Sequence, residues 1–236
     1  MRELYYEEVF LTIMSLEFLF SLILMLVGFA AVITVHELAH AWMADRLGDP
    51  TPRLMGRLSL NPLVHYDPIG TTLLFGLLVL RAFGVPVIPF GWAKPVVFDP
   101  YNLKNPRRDA ALISFAGPFS NFAMATIFAL VLRLIMTPFS PFAFFASAIT
   151  DFILLNVILG LFNLVPIHPL DGGKILIGIL PKKEAYQLDR FLNQYGMILL
   201  LVLIFPFFSS TPPIFIILGP ILRIILRLLI PGNPVV

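Results

Sequence analysis

From Phe18 to Val35 the chain carries no formal charge, and charge returns only at His36-Glu37-Leu38-Ala39-His40. An uncharged helical run of that length covers most of a bilayer core, which takes about 20 residues. The pattern recurs: Ala110 to Leu132 is uncharged, as is most of Phe142 to Pro166. Phe191 to Leu222 is uncharged too, but Pro206, Pro212 and Pro213 divide it into two segments. The pattern predicts core spans over 15–46, 109–136 and 142–171, with further spans at 191–208 and 214–230. The expected fold is an all-α polytopic membrane protein of about five transmembrane helices, organised as one domain over 1–236 without internal repeats.

Ile69 to Phe90 is apolar but interrupted by Gly70, Gly76, Gly84, Pro86, Pro89 and Arg81. It lies between two cationic clusters, Arg46, Arg53 and Arg57 before it and Lys94, Lys104, Arg107 and Arg108 after it. A third cluster is Lys174, Lys182, Lys183 and Arg190. Cations concentrate on the cytosolic side of membrane proteins, so all three clusters are expected there and 69–90 is expected to dip in and return, with a kinked full span as the alternative. Residues 86–97, rich in β-branched and aromatic side chains and bounded by prolines, read as a short β-like segment. Of the isolated charges, Arg133 and Asp151 are expected to pair near the outer ends of neighbouring spans, and Arg223 and Arg227 to snorkel to the inner interface.

Composition agrees: 58% of the 236 residues are hydrophobic and 13% charged, with a mean hydropathy of +0.92. A soluble domain could not hide so much apolar surface. The absence of cysteine removes disulfides and thiolate metal sites, leaving His, Asp and Glu as the ligand types. The N-terminus, with Arg2, Glu3, Glu7 and Glu8 ahead of a long span, does not resemble a removable signal peptide.

The chemistry sits where the first span ends. His36 and His40, four apart, share one helix face and can hold a single Zn²⁺; Glu37 beside them can act as a general base. The competing reading is a pair of helix-end histidines at the interface. A second motif is Asn163-Leu-Val-Pro-Ile-His-Pro-Leu-Asp171-Gly-Gly. Its prolines end a helix, and its glycines let the backbone turn. Asp171 on that bend suits a third zinc ligand; two histidines and a carboxylate with an open fourth position form a catalytic arrangement. Alone, Asp171 would read as a turn carboxylate capping a short helix.

Together these motifs resemble the site-2 proteases, intramembrane zinc metalloproteases. The resemblance extends through Gly48-Asp-Pro-Thr-Pro-Arg53, Gly56-Arg57, Leu60-Asn-Pro62, Phe90-Gly-Trp-Ala-Lys-Pro95, Asn105-Pro-Arg-Arg-Asp109 and Ala116-Gly-Pro-Phe-Ser-Asn121. It points to the compact prokaryotic branch, without PDZ-like or CBS-like modules. The resemblance implies one zinc per chain on His36, His40 and Asp171, with Glu37 as general base. It implies Asn163 as a donor to the oxyanion, where a helix C-cap is the alternative. His168 departs from the family, which more often has an apolar residue or proline there; a hydrogen-bonded loop histidine is expected, with an extra ligand as the alternative. His65 is expected to be structural.

An intramembrane protease must unwind its substrate, and an extended edge could hold the unwound strand by main-chain pairing. Phe90, Gly91, Trp92, Ala93, Lys94 and Pro95 are the candidate clamp, against the alternative of a plain packed loop. The expected function is zinc-dependent endopeptidase cleavage of transmembrane segments in membrane-anchored regulators. Expected partners are a transmembrane protein substrate and the lipid bilayer, with no nucleic acid; a homo-oligomer is compatible with the sequence. A prokaryotic plasma membrane is the expected home. The alternatives are a metal-binding transporter or channel scaffold without protease activity, and a membrane zinc protease of the type that processes prenylated C-termini.

Overall fold

The computed structural model describes residues 2–137, 140–207 and 211–230, with side chains from residue 16 onward. The helices are α1 (Arg2–Arg46), α2 (Thr51–Leu54), α3 (Pro62–His65), α4 (Gly70–Ala82), α5 (Pro106–Ile135), α6 (Ala146–Asn163), α7 (Asp171–Ile179), α8 (Lys182–Ile204) and α9 (Pro213–Leu229). No strand occurs among the described residues. The all-α membrane class expected from the sequence is what is found.

Helix α5 is central and packs against α1, α6 and α7. Its neighbours come close because the contact positions are small: Ala41, Ala44 and Ala125 are fully buried, and Gly160 of α6 lies against the Phe122 ring. Small residues permit this approach where lipid offers no hydrophobic drive between helices. The contacts also set directions. His36 meets Asn121 and His40 meets Ile113, so α1 runs antiparallel to α5. Asn156 meets Asn121 and Phe152 meets Phe128, so α6 is antiparallel to α5 and parallel to α1. The C-terminal ends of α1 and α6 therefore lie at the same end of the bundle.

Among the described residues, three helical segments are long and apolar enough to cross a membrane, Leu16–Arg46, Pro106–Ile135 and Ala143–Asn163. The expected count of about five is refined by the C-terminal region. Five charged residues occupy the first half of α8, from Lys182 to Arg190. Its last turns, at Leu200 and Ile204, pack with Val165, Leu170 and the start of α9 at Ile214. The end of α9, Leu226 and Ile230, packs instead with Ala129, Leu132 and Ile153. Thus α8 climbs to the depth of the Val165–Leu170 turn and α9 continues to the far end, so the two together make one passage. Residues 208–210, within the expected break, lie outside the described residues.

Two expectations about isolated charges are corrected. The Arg133 guanidinium donates to the Leu228 carbonyl at 2.9 Å, where the unpaired carbonyls ending α9 favour a cation; it forms no ion pair with Asp151, which is exposed. Because α9 ends beside Arg133, Arg223 and Arg227 lie toward the end away from α1's C-terminus, not toward the expected inner interface.

Helix α4 has 13 residues, about 20 Å of rise, short of a hydrocarbon core of about 30 Å. That length suits a segment that enters and turns back. Residues 83–99 then run without regular structure back across the start of α4. A Cβ at Gly70 would meet the Trp92 ring at 2.5 Å, and one at Gly91 would strike the Gly70 carbonyl. Lys94 N–H donates to His65 O at 2.9 Å, Thr71 Oγ1 to Trp92 O at 3.1 Å, and the buried Arg57 to Val64 O at 2.6 Å. The expected β-like segment is therefore an irregular loop, with Trp92 and Lys94 bonded to α4 and α3.

The loop after α1 is held by Asp49, which is fully buried. Its carboxylate accepts from Thr51 N and Oγ1, Asp99 N at 2.7 Å and Asn102 Nδ2 at 2.8 Å. Burial alone would raise its pKa, but these donors outweigh it and hold the carboxyl below the usual range. One anion thereby ties the chain after α1 to the turn before α5.

Candidate metal centre

At the shared end of α1 and α6, His36 and His40 project from one face of α1 toward the first residue of α7, Asp171. The two Nε2 atoms are 3.1 Å apart, and each lies 3.2 Å from Asp171 Oδ2. Both histidines are buried, and Asp171 Oδ2 is a buried oxygen without a hydrogen-bond donor. Local sequence explains how the carboxylate arrives. Gly172 lets the start of α7 press on the end of α6, since a Cβ there would strike the Leu164 and Val165 carbonyls. Asp171 also sits in the first turn of α7, where the helix dipole favours an anion.

The outer nitrogens decide what this group can hold. His40 Nδ1 lies 2.7 Å from Ile113 O; a carbonyl only accepts, so Nδ1 carries the proton. His36 Nδ1 lies 2.7 Å from Asn121 Oδ1, and Asn121 Nδ2 is engaged with Asn156, so this Nδ1 carries a proton as well. Both Nε2 atoms then present lone pairs, and three acceptors converge with no proton between them. Such an arrangement calls for a cation. The separations are close to the roughly 3.3–3.4 Å edges of a tetrahedron with bonds of about 2.0–2.1 Å, the zinc geometry for nitrogen and carboxylate donors. Among the described residues this trio is the group that could hold a metal ion.

Gly117 of α5 closes one side. A Cβ there would strike His40 Nε2 and meet His40 Cε1 at 2.5 Å and His36 Cε1 at 2.7 Å. Glycine is what lets α5 approach both imidazoles.

The other sequence-predicted residues divide. Glu37 is half-buried beside the trio, its side chain forming no hydrogen bond or ion pair with another described residue. Asn163 ends α6 with its amide donating to Leu159 O at 3.1 Å, and no hydrogen bond among the described residues joins it to the trio. His168 turns away: its Nε2 lies 3.4 Å from Asp189 Oδ1 of α8. His65, the last residue of α3, is buried with Nε2 on Ser59 O at 2.9 Å. Of the clamp candidates, Phe90 packs edge-on against Phe205 with centroids 5.6 Å apart. Nearby Ile88 joins the cluster holding Leu170, the residue before Asp171. Sequence reasoning missed the roles of Gly117, Asn121 and Asn156. The available signal was two carboxamides inside otherwise apolar spans, where an unpaired amide is costly.

Comparison with known proteins agrees with this chemistry. The profile of peptidase family M50 matches residues 24–153 and 138–203. The chain is 38% identical over 175 residues to "Putative zinc metalloprotease YwhC" of Bacillus subtilis, covering 72% of this chain and 74% of the relative. It is 28% identical over 195 residues to "Putative zinc metalloprotease Rip2" of Mycobacterium tuberculosis, covering 81% and 70% respectively. A shorter match, 34% over 83 residues, joins it to "Zinc metalloprotease MJ0392" of Methanocaldococcus jannaschii, covering 35% of this chain and 23% of that protein. No solved structure matches the chain. Matches over this much of the chain decide against the transporter scaffold and the prenyl-type protease. With its apolar helices and a buried group fit for a metal, the chain belongs to peptidase family M50, the site-2 proteases, and is a membrane zinc metalloprotease.

Proposed function

We propose that this protease cuts transmembrane segments of membrane-anchored regulatory proteins, close to the end of the bundle where α1 and α6 terminate. The observation that carries this reading is the burial of the convergent His36, His40 and Asp171 donors at the end of the apolar α1, where a soluble protease would have an open cleft. These three residues hold the zinc, one per chain. The ion supplies Lewis acidity, polarising a peptide carbonyl and making water a nucleophile near neutral pH. Glu37 accepts the proton of the attacking water and returns it to the leaving amine. Asn163 gives up its bond to Leu159 O and donates to the developing oxyanion.

Residues 90–95 hold the unwound substrate strand. Their inner edge is occupied by α3 and α4, while the N–H and C=O of Ala93 bond to no described residue, which supports an outer edge available for pairing. The named relatives come from bacteria and an archaeon, which supports a prokaryotic plasma membrane as the location.

The test is reconstitution in liposomes with single-span peptides that carry a helix-weakening Asn-Pro pair near one end, the middle or the other end of the span. Mass spectrometry should find cleavage confined to peptides weakened at the cytosolic end. Cleavage only in the soluble flanks, independent of the weak point, would contradict intramembrane specificity.

A further inference from the structure

Asn121 and Asn156 are both fully buried, within spans whose neighbours are apolar, and they form a chain of polarity that leads to the metal group. We propose that Asn156, on α6, selects the tautomer of His36 through Asn121 and thereby acts as a positioning residue for the zinc. The inference rests on His36 being a metal ligand.

The chain begins at a group whose polarity cannot reverse. Asn156 Nδ2 donates to the Phe152 carbonyl at 2.9 Å, which turns Asn156 Oδ1 toward α5. That oxygen accepts from Asn121 Nδ2 at 3.2 Å, which turns Asn121 Oδ1 toward α1. Asn121 Oδ1 accepts from His36 Nδ1 at 2.7 Å, so the His36 proton stays on Nδ1 and the Nε2 lone pair faces Asp171. Rotating either amide by half a turn would set donor against donor or acceptor against acceptor in a buried place, a costly mismatch. His40 is set directly by the Ile113 carbonyl. Both imidazoles thus take their tautomer from a backbone carbonyl, one directly and one through two amides. Partners one step beyond metal ligands are known to orient them; here the controlling residue lies two steps away, on a different helix.

Chelator competition on purified protein measures zinc affinity independently of activity. Asn156→Leu leaves the Asn121 amide free to rotate, and zinc should bind about 10–100-fold more weakly. Adding Asn121→Asp should restore wild-type affinity, because a carboxylate presents only acceptors and needs no partner to orient it. A purely packing role for Asn156 predicts no such rescue. If Asn156→Leu alone does not fold, the double variant decides: folded and zinc-retaining supports the relay, whereas zinc-poor or unfolded overturns it. An Asn156→Leu protein with wild-type affinity also overturns it. Nitrogen NMR of zinc-free protein separates this claim from the ligand assignment: His36 should be the Nδ1–H tautomer in wild type and mixed in Asn156→Leu. An unchanged tautomer refutes the relay, whereas zinc retained by His36→Ala refutes the ligand assignment instead.

Discussion

Glu37→Gln is expected to retain zinc and lose peptide-bond hydrolysis, with kcat falling by at least about 10²–10⁴-fold, the usual contribution of a positioned general base. The side chain stands beside His36 on α1 and is bonded to no other described residue, so the substitution removes a proton acceptor without dismantling a network. Glutamine keeps the size and hydrogen-bonding reach but cannot take the proton of water. Measuring substrate cleavage and zinc content on the same preparation separates chemistry from metal binding. A zinc-loaded Gln variant that cuts at the wild-type rate would remove Glu37 from the mechanism.

Gly117→Ala should place a single methyl directly against both zinc-binding imidazoles. The added Cβ collides with the metal-facing nitrogen of His40 and sits 2.7 Å from His36 Cε1, both on buried rings held by fixed partners. Relief requires α5 to withdraw from α1 or the imidazoles to swing off their partners, and overpacking of this kind costs about 1–3 kcal/mol. Zinc affinity and activity should fall together. Gly28→Ala on the same α1 is the control: its Cβ meets Leu155 and Phe152 at 3.7 Å, ordinary contact, and should leave zinc content unchanged. Equal behaviour of the two variants, measured by zinc per folded chain, would refute the close α5 approach.

The features legible in the sequence were those encoded locally. An uncharged run ending in two histidines four apart fixes both a helix and a shared face. Proline on each side of His168 and two glycines after Asp171 mark a bend. The remaining features depend on partners far along the chain. Asn121 bonds His36 across 85 residues and Asn156 across 35, and no periodicity reveals such pairs. Arg133 and Asp151 interrupt their spans at similar depth, which suggests a pair, but the partner of Arg133 is the end of α9, a backbone terminus that sequence does not display. The prolines that split Phe191 to Leu222 suggested two spans, yet hydropathy does not tell a break between crossings from a break within one. The β-branched and aromatic residues of 86–97 suggest a strand, but Pro86, Pro89 and Pro95 lack ladder donors and no strand occurs among the described residues.

The central claim is that the histidine pair and Asp171, more than 130 residues further on, build one zinc site, and it is tested most directly by zinc per chain in purified wild type beside Asp171→Ala. The account predicts about one tightly held zinc in the wild type and its loss in the variant, since two histidines alone leave the three-ligand set of a catalytic zinc site incomplete. Zinc retained in full by a folded Asp171→Ala protein would contradict it.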